Sequence, residues 1–380
     1  MTNKLISTIL SSLLIMGGAF STSQVFAKEK VAVAIIPISI YAPWYLINEK
    51  NFSDSLEIDV KIIDDITVRN AGLSSGDLQC MITTLDSTVV TVAAGIPVKH
   101  IAVPLMSYGL DQMVVAEHIK TDADIRGSSF AADYGFLNHM WMLLTLKRAG
   151  IPFNEASHKI MLPQDAAAAF VSGQLDIDVN FVPFSTQSLE RKGSHLLKTS
   201  LTDKTWERGL ISDSIACSSK WLEENPETAQ ELIRAWFAAV DWWKENPEEG
   251  NKIIADYLKW PMADVLEMQN GAVMLNINQN MGAIGLPGGK AMCESLPEGA
   301  PKPPAGESGW SKIVGGAKDC EPGYLSSTWK IFSDVYHEAK VTDFGIAAED
   351  GIDNTIIKAL VASGDDKKFS SNKWIGRAGL

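Results

Sequence analysis

Residues 72–76 read GLSSG, the G-x-S-x-G pattern that surrounds a hydrolase nucleophile. That chemistry needs a strand before the serine and a helix after it, so that the hydroxyl is held at a strained turn. Here the order is reversed. The preceding stretch DDITVRNAGLSSG carries Ile66, Val68, Ala71 and Leu73 among polar residues, with Asp65 or Thr67 able to cap a helix start. Gly76 suits the left-handed position after a helix, and LQCMITT follows as a strand. Ser74 is therefore expected in a last helical turn, where it attacks nothing. The six histidines show no H-E-x-x-H or H-x-H spacing, and no G-x-G-x-x-G or P-loop is present. Neither a metal nor a nucleotide cofactor is expected.

The four cysteines, Cys80, Cys217, Cys293 and Cys320, form no C-x-x-C pair. Cys293 and Cys320 bracket a Pro/Gly-rich stretch, and a bridge there would pin a long loop at a gain of about 3–4 kcal/mol. Cys80 lies in an apolar strand and Cys217 in a mixed one, and both read as small buried hydrophobes.

The elements around these residues alternate. KVAVAIIPI, LEIDVKIID, CMITT and VKHIAVPL read as strands separated by helical stretches, a β-α-β-α-β rhythm that predicts a mostly parallel sheet flanked by helices. Ser75-Gly76-x-Leu78 recurs 97 positions later as Ser172-Gly173-x-Leu175, each time between a small-residue helix and a strand. Two such units fit two similar α/β lobes. The predicted order is a first lobe over 28–110, a second over 111–210, a return to the first over 211–281, a Pro/Gly-rich insert over 282–323 and closing helices on the first lobe over 324–380. Long helices are expected from NPETAQELIRAWFAAVDWWKEN, PEEGNKIIADYLKW and ADVLEMQNGAVML, with Pro226 and Pro247 in first turns. Two chain crossings then make a hinge with a cleft beside it.

The first residues have a positive start at Lys4, an apolar run from Leu5 to Phe20, and Val25-Phe26-Ala27, which fits a signal peptide cut after Ala27. The net charge of −13 and the lack of a Lys/Arg cluster argue against nucleic acid as a partner.

With this order in place, the chain resembles the periplasmic solute-binding proteins of ABC importers, in the type II cluster that serves sulfonates, taurine, nitrate and pyrimidine precursors. The resemblance rests on YAPWYLINEKN after the first strand, on SGDLQCMITTLDSTVVTVAAGIPV, on DADIRGSSFAADYGFLNHMWMLLTLKRAGI, and on SGQLDIDVNFVPF and SSKWLEENPE. It covers about residues 28–280, with a looser match over 324–380; the insert departs from it. It implies a two-lobed type II binding fold, a non-enzymatic role in the periplasm, a monomer with a small-molecule ligand, and a permease with its ATPase as partners, the membrane being met only through that permease. Two alternatives share the fold: an enzyme of the pyrimidine-synthesising kind, which would use Cys and His, and a ligand-sensing partner of a receptor.

The resemblance places ligand contacts on turns between strand ends and helix starts, where free N–H groups gather. The matching positions are Ser39, Tyr41 and Trp44; Thr83, Thr84 and Asp86; Asp133, Tyr134 and Asn138; Asn180 and Phe184; and Asp213 on the return strand. Asp86 also suits a helix cap, and Trp44 and Phe184 also suit packing. A sulfonate or nitrate would call for an Arg fork, yet no matched turn contains Arg, and Arg69 is expected to face solvent. Asp86, Asp133 and Asp213 instead suit a cation or an amine.

Overall fold

A computed structural model describes residues 27–315 and 318–376. The proposed signal peptide therefore lies, but for Ala27, outside the described residues. Among them, no helix is long and apolar enough to cross a membrane.

Two five-stranded sheets carry the molecule. The strands are β1 (Glu29–Ile35), β2 (Leu56–Ile62), β3 (Cys80–Thr84), β4 (Val98–Ala102), β5 (Leu105–Ser107), β6 (Asp111–Val115), β7 (Ser129–Ala132), β8 (Ser157–Ile160), β9 (Ile177–Phe181), β10 (His195–Thr199), β11 (Asp213–Ser218) and β12 (Ala272–Met274). The first sheet runs β2-β1-β3-β11-β4 and the second β8-β7-β9-β6-β10. The order is the same in both. In each, the first three strands are parallel and the fourth runs antiparallel to its neighbours. Four of the five strands in each sheet thus run the same way, the mostly parallel sheet expected from the sequence, and the one reversed strand is the one that enters each lobe from the other.

Helices α1 (Pro43–Glu49), α2 (Ile66–Ser75), α3 (Leu85–Ala93), α4 (Leu137–Arg148), α5 (Pro163–Val171) and α6 (Phe184–Ser188) follow strand ends or lead into strands. The Asp65 side chain accepts from the N–H groups of Thr67 and Val68 and so starts α2; Gly76, at φ 86°, ends it. Gly173, at φ 82°, stands at the matching place after α5. Ser74 Oγ bonds back to the carbonyl of Asn70 in the last turn of α2, as a helix end dictates.

The helix Pro226–Glu245 buries Trp236 and Trp243 in the first lobe's core, Trp236 lying 4.6 Å from Trp44 between ring centres. The predicted helix ADVLEMQNGAVML divides: Met262–Asn270 is helical, but Ala272–Met274 is strand β12, paired with β5. Gly271 makes the break. Its carbonyl accepts from the N–H groups of Tyr108 and Leu110, and a Cβ there would lie 2.5 Å from the Leu110 backbone. This close approach ties the first chain crossing to the first lobe. Across the hinge, Ser107 N–H donates to Ile211 and Ser200 N–H to Asp111.

The helix Tyr324–Glu338 packs on α3 of the first lobe and on α4 of the second. Cys293 and Cys320 are bonded, with Cα atoms 5.9 Å apart. Cys80 and Cys217 are also bonded, which corrects their reading as free apolar residues. They face each other on β3 and β11, and antiparallel pairing brings their Cα atoms to 4.0 Å.

Candidate functional site

A cavity of about 480 Å³ opens between the sheets, at the carboxyl ends of the parallel strands. This volume is in the range of small-molecule sites. Both lobes and both chain crossings contribute to its wall.

Six of the twelve residues singled out in the sequence stand in that wall: Tyr41, Thr84, Asp133, Asn138, Phe184 and Asp213. The other six do not. Trp44 is spent in the core against Trp236. Thr83 Oγ1 is 2.6 Å from Ser87 Oγ, and Ser39 is buried with its Oγ 3.5 Å from the Val265 carbonyl. Tyr134 turns outward, its ring 5.5 Å from that of His139. Asn180 donates to the carbonyl of Pro163 and to Asp178, so it holds β9 to α5.

Asp86 is the sixth. It does not cap α3, whose cap position is Thr84; it sits in the first turn, fully buried, and accepts from Tyr336 Oη at 2.5 Å. The same hydroxyl lies 3.2 Å from the Phe136 carbonyl of the second lobe. Burial pushes the Asp86 carboxyl up to about 6 despite that bond.

Arg69 corrects the sequence reading. It is 1% exposed and lines the cavity. Its guanidinium donates to the carbonyls of Ile82 at 3.2 Å and Asp64 at 3.5 Å, and its Nε has no hydrogen-bond partner. The helix is short and weakly amphipathic, so periodicity did not reveal that its inner face carries a charge.

Asp111 was also missed. It begins β6 at the first crossing, as Asp213 begins β11 at the second. The two are equivalent in the fold: Asp213 pairs with Thr84, and Asp111 with Phe181, the residue 97 positions after Thr84. They are 2% and 6% exposed and both line the cavity. Burial pushes Asp111 up to about 7, Ser107 opposing and Asp86 adding to the rise. Asp213 is driven far above the carboxylate range by burial and by repulsion from Asp111 and Asp86, while the Tyr41 hydroxyl that bonds it works the other way. Asp64 and Asp264 complete the acidic set. The apolar remainder includes Phe136, Phe181, Leu162 and Trp260. No described residue of 282–323 lines the cavity; the insert packs behind it, with Trp310 donating to the Asp203 carbonyl and Tyr108 to that of Pro301.

Several known proteins are similar to this chain. A putative aliphatic sulfonates-binding protein of Escherichia coli (strain K12) is 32% identical over 108 residues, 28% of this chain and 34% of that one. A putative binding protein of Brucella abortus (strain 2308) is 25% identical over 162 residues, 42% of this chain and 50% of that one. The matches thus span a third to a half of the length of these relatives. The crystal structure of the periplasmic aliphatic sulphonate binding protein SsuA from Escherichia coli superposes with a TM-score of 0.62 over 86% of this chain and 93% of that one, at 17% identity, which shows a shared two-lobed fold. The description NMT1/THI5 like matches residues 39–250, more than half of the sequence and most of the cavity wall. On that match, the chain belongs to the NMT1/THI5-like family.

Proposed function

We propose that this protein is the extracytoplasmic solute-binding component of an ABC-type importer. It captures one small polar solute in the interlobe cavity and hands it to a membrane permease. The lobes close on the solute by bending at residues 107–111 and 200–213. The observation that carries this reading is the cavity itself: about 480 Å³, walled by both lobes, with buried carboxyl groups at the two crossings. The relatives named above, described as binding proteins, support it.

The enzyme alternative needs a nucleophile and a base in the cleft. All four cysteines are bonded in pairs, and no histidine stands among the cavity residues, which favours binding over turnover. Trp260 in the wall offers a reporter. Titration with sulfonates, amines, nitrate and pyrimidines is expected to give one solute that changes tryptophan emission saturably at one site per chain. At a hundredfold excess over Kd that solute adds about 2.7 kcal/mol of stability. Catalytic consumption of the solute, or the lack of any saturable ligand, would overturn the reading.

A further inference from the structure

The cavity wall carries five carboxylates, Asp64, Asp111, Asp133, Asp213 and Asp264, against a single guanidinium, that of Arg69. Among the described residues no ion pair reaches Asp111 or Asp213. Each accepts only from a neutral hydroxyl, Ser107 for one and Tyr41 for the other. Taking a carboxylate out of water without a counter-charge is costly, and one such residue per lobe, at equivalent places in the fold, is not an accident of packing.

Resting on the solute-binding reading, we propose that the solute carries a positively charged nitrogen, an ammonium or quaternary ammonium group seated between Asp111 and Asp213.

Three further features agree. One N–H of each Arg69 terminal nitrogen is taken by a backbone carbonyl, and this single guanidinium stands against five carboxylates, so the wall as a whole does not favour a sulfonate. Its buried Nε, still unpartnered, is one of the donors left for a neutral or weakly charged acceptor elsewhere on the solute. The aromatic rings of Tyr41, Phe136, Phe181 and Trp260 stand in the same wall, and ring faces attract alkylated ammonium groups. Because one carboxylate comes from each side of the hinge, a cation between them also draws the lobes together.

The test uses the full exported protein and matched probes. These are choline and benzylamine, their uncharged counterparts 3,3-dimethylbutan-1-ol and benzyl alcohol, and the anions butane-1-sulfonate and nitrate, each at millimolar concentration. Thermal shift and tryptophan titration should rank the cations above the uncharged molecules and the anions last. Asp111→Asn and Asp213→Asn should each weaken cation binding by roughly 100-fold, the consequence of breaking a buried charge pair. If either variant does not fold by circular dichroism, the charge series on the unaltered protein decides. A cation response that survives both substitutions overturns the assignment, as does a series in which no cation binds. Saturable binding of an anion alone would overturn this inference and leave the solute-binding reading standing; no ligand of any charge would remove both.

Discussion

The two lobes share one strand order, yet they face the cavity with different surfaces. Positions 97 apart make the contrast direct. Where the first lobe places Asp64, Arg69 and Thr84, the second places Met161, Ala166 and Phe181, and all six line the cavity. Asp133, opposite Ile36, and Asn138, opposite Tyr41, run against the trend. One lobe supplies most of the polar wall and the other most of the apolar wall, while the hinge carboxylates are common to both. A solute held this way has a charged end at the hinge and a body that contacts unlike surfaces. Orientation is then set by the difference between the lobes, and closure by what they have in common.

The lobes also differ in how they are held together. The first is built from two chain segments separated by the whole of the second. Cys80 and Cys217 join those segments, closing a span of 137 residues. The equivalent cross-strand pair in the second lobe is Ile177 and Val115, an apolar contact, because that lobe is continuous. Replacing Cys80 and Cys217 together by Ala is expected to cost about 4–5 kcal/mol in the chain-entropy account. Ile177→Val should cost about 0.5–1.5 kcal/mol through the cavity it leaves. Urea denaturation followed by tryptophan emission checks both, and an equal cost would break the comparison.

The hinge carboxylates make the unliganded protein sensitive to pH. Asp111 is raised from an unfolded value near 4 to about 7 in the folded state. A group raised in this way contributes stability that is fully present below the unfolded pKa and is lost as pH rises through the folded one. The charged groups that bear on it are Asp86, Asp213 and, through Tyr41, Arg69. Asp111→Asn removes the loss. The variant is expected to gain about 2–4 kcal/mol over the unaltered protein at pH 8, with the gain shrinking towards pH 4. Thermal melts across that range without solute measure it. A gain that is independent of pH would assign the effect to packing instead.

Much of this was legible in the residues. Val/Ile-rich runs gave the strands, and Ser75-Gly76 with its echo at Ser172-Gly173 gave the duplication, because a left-handed helix end needs glycine in both lobes. The hinge aspartates were legible too: both crossing strands, DQMVV and DSIACS, open on Asp. Only Asp213 was singled out, since β6 had no counterpart in view until the sheets were aligned. Arg69 and Asp86 could not be read. Their roles depend on contacts with Ile82, 13 positions away, and with Tyr336, 250 positions away, and local pattern carries no record of either. The disulfide of Cys80 escaped for the same reason, its partner being in register only after the chain has built another lobe.

Tyr336 gives the smallest and most specific way to sharpen the contrast, since its hydroxyl lies between the lobes. It donates to Asp86 on one side and approaches the Phe136 carbonyl on the other. Tyr336→Phe leaves the ring packed and removes only the donor. A buried carboxylate without its donor is costly when ionised and nearly neutral in cost when protonated, so the Asp86 pKa should rise further above about 6. The sign follows: the loss of stability in the variant should be small at pH 5, where Asp86 is protonated with or without the hydroxyl, and about 1–2 kcal/mol at pH 8. Urea midpoints at the two pH values give this difference directly. A loss that is the same at both would mean that Tyr336 acts through the Phe136 carbonyl, joining the lobes as a neutral strap; a loss confined to high pH places its action on the first lobe alone.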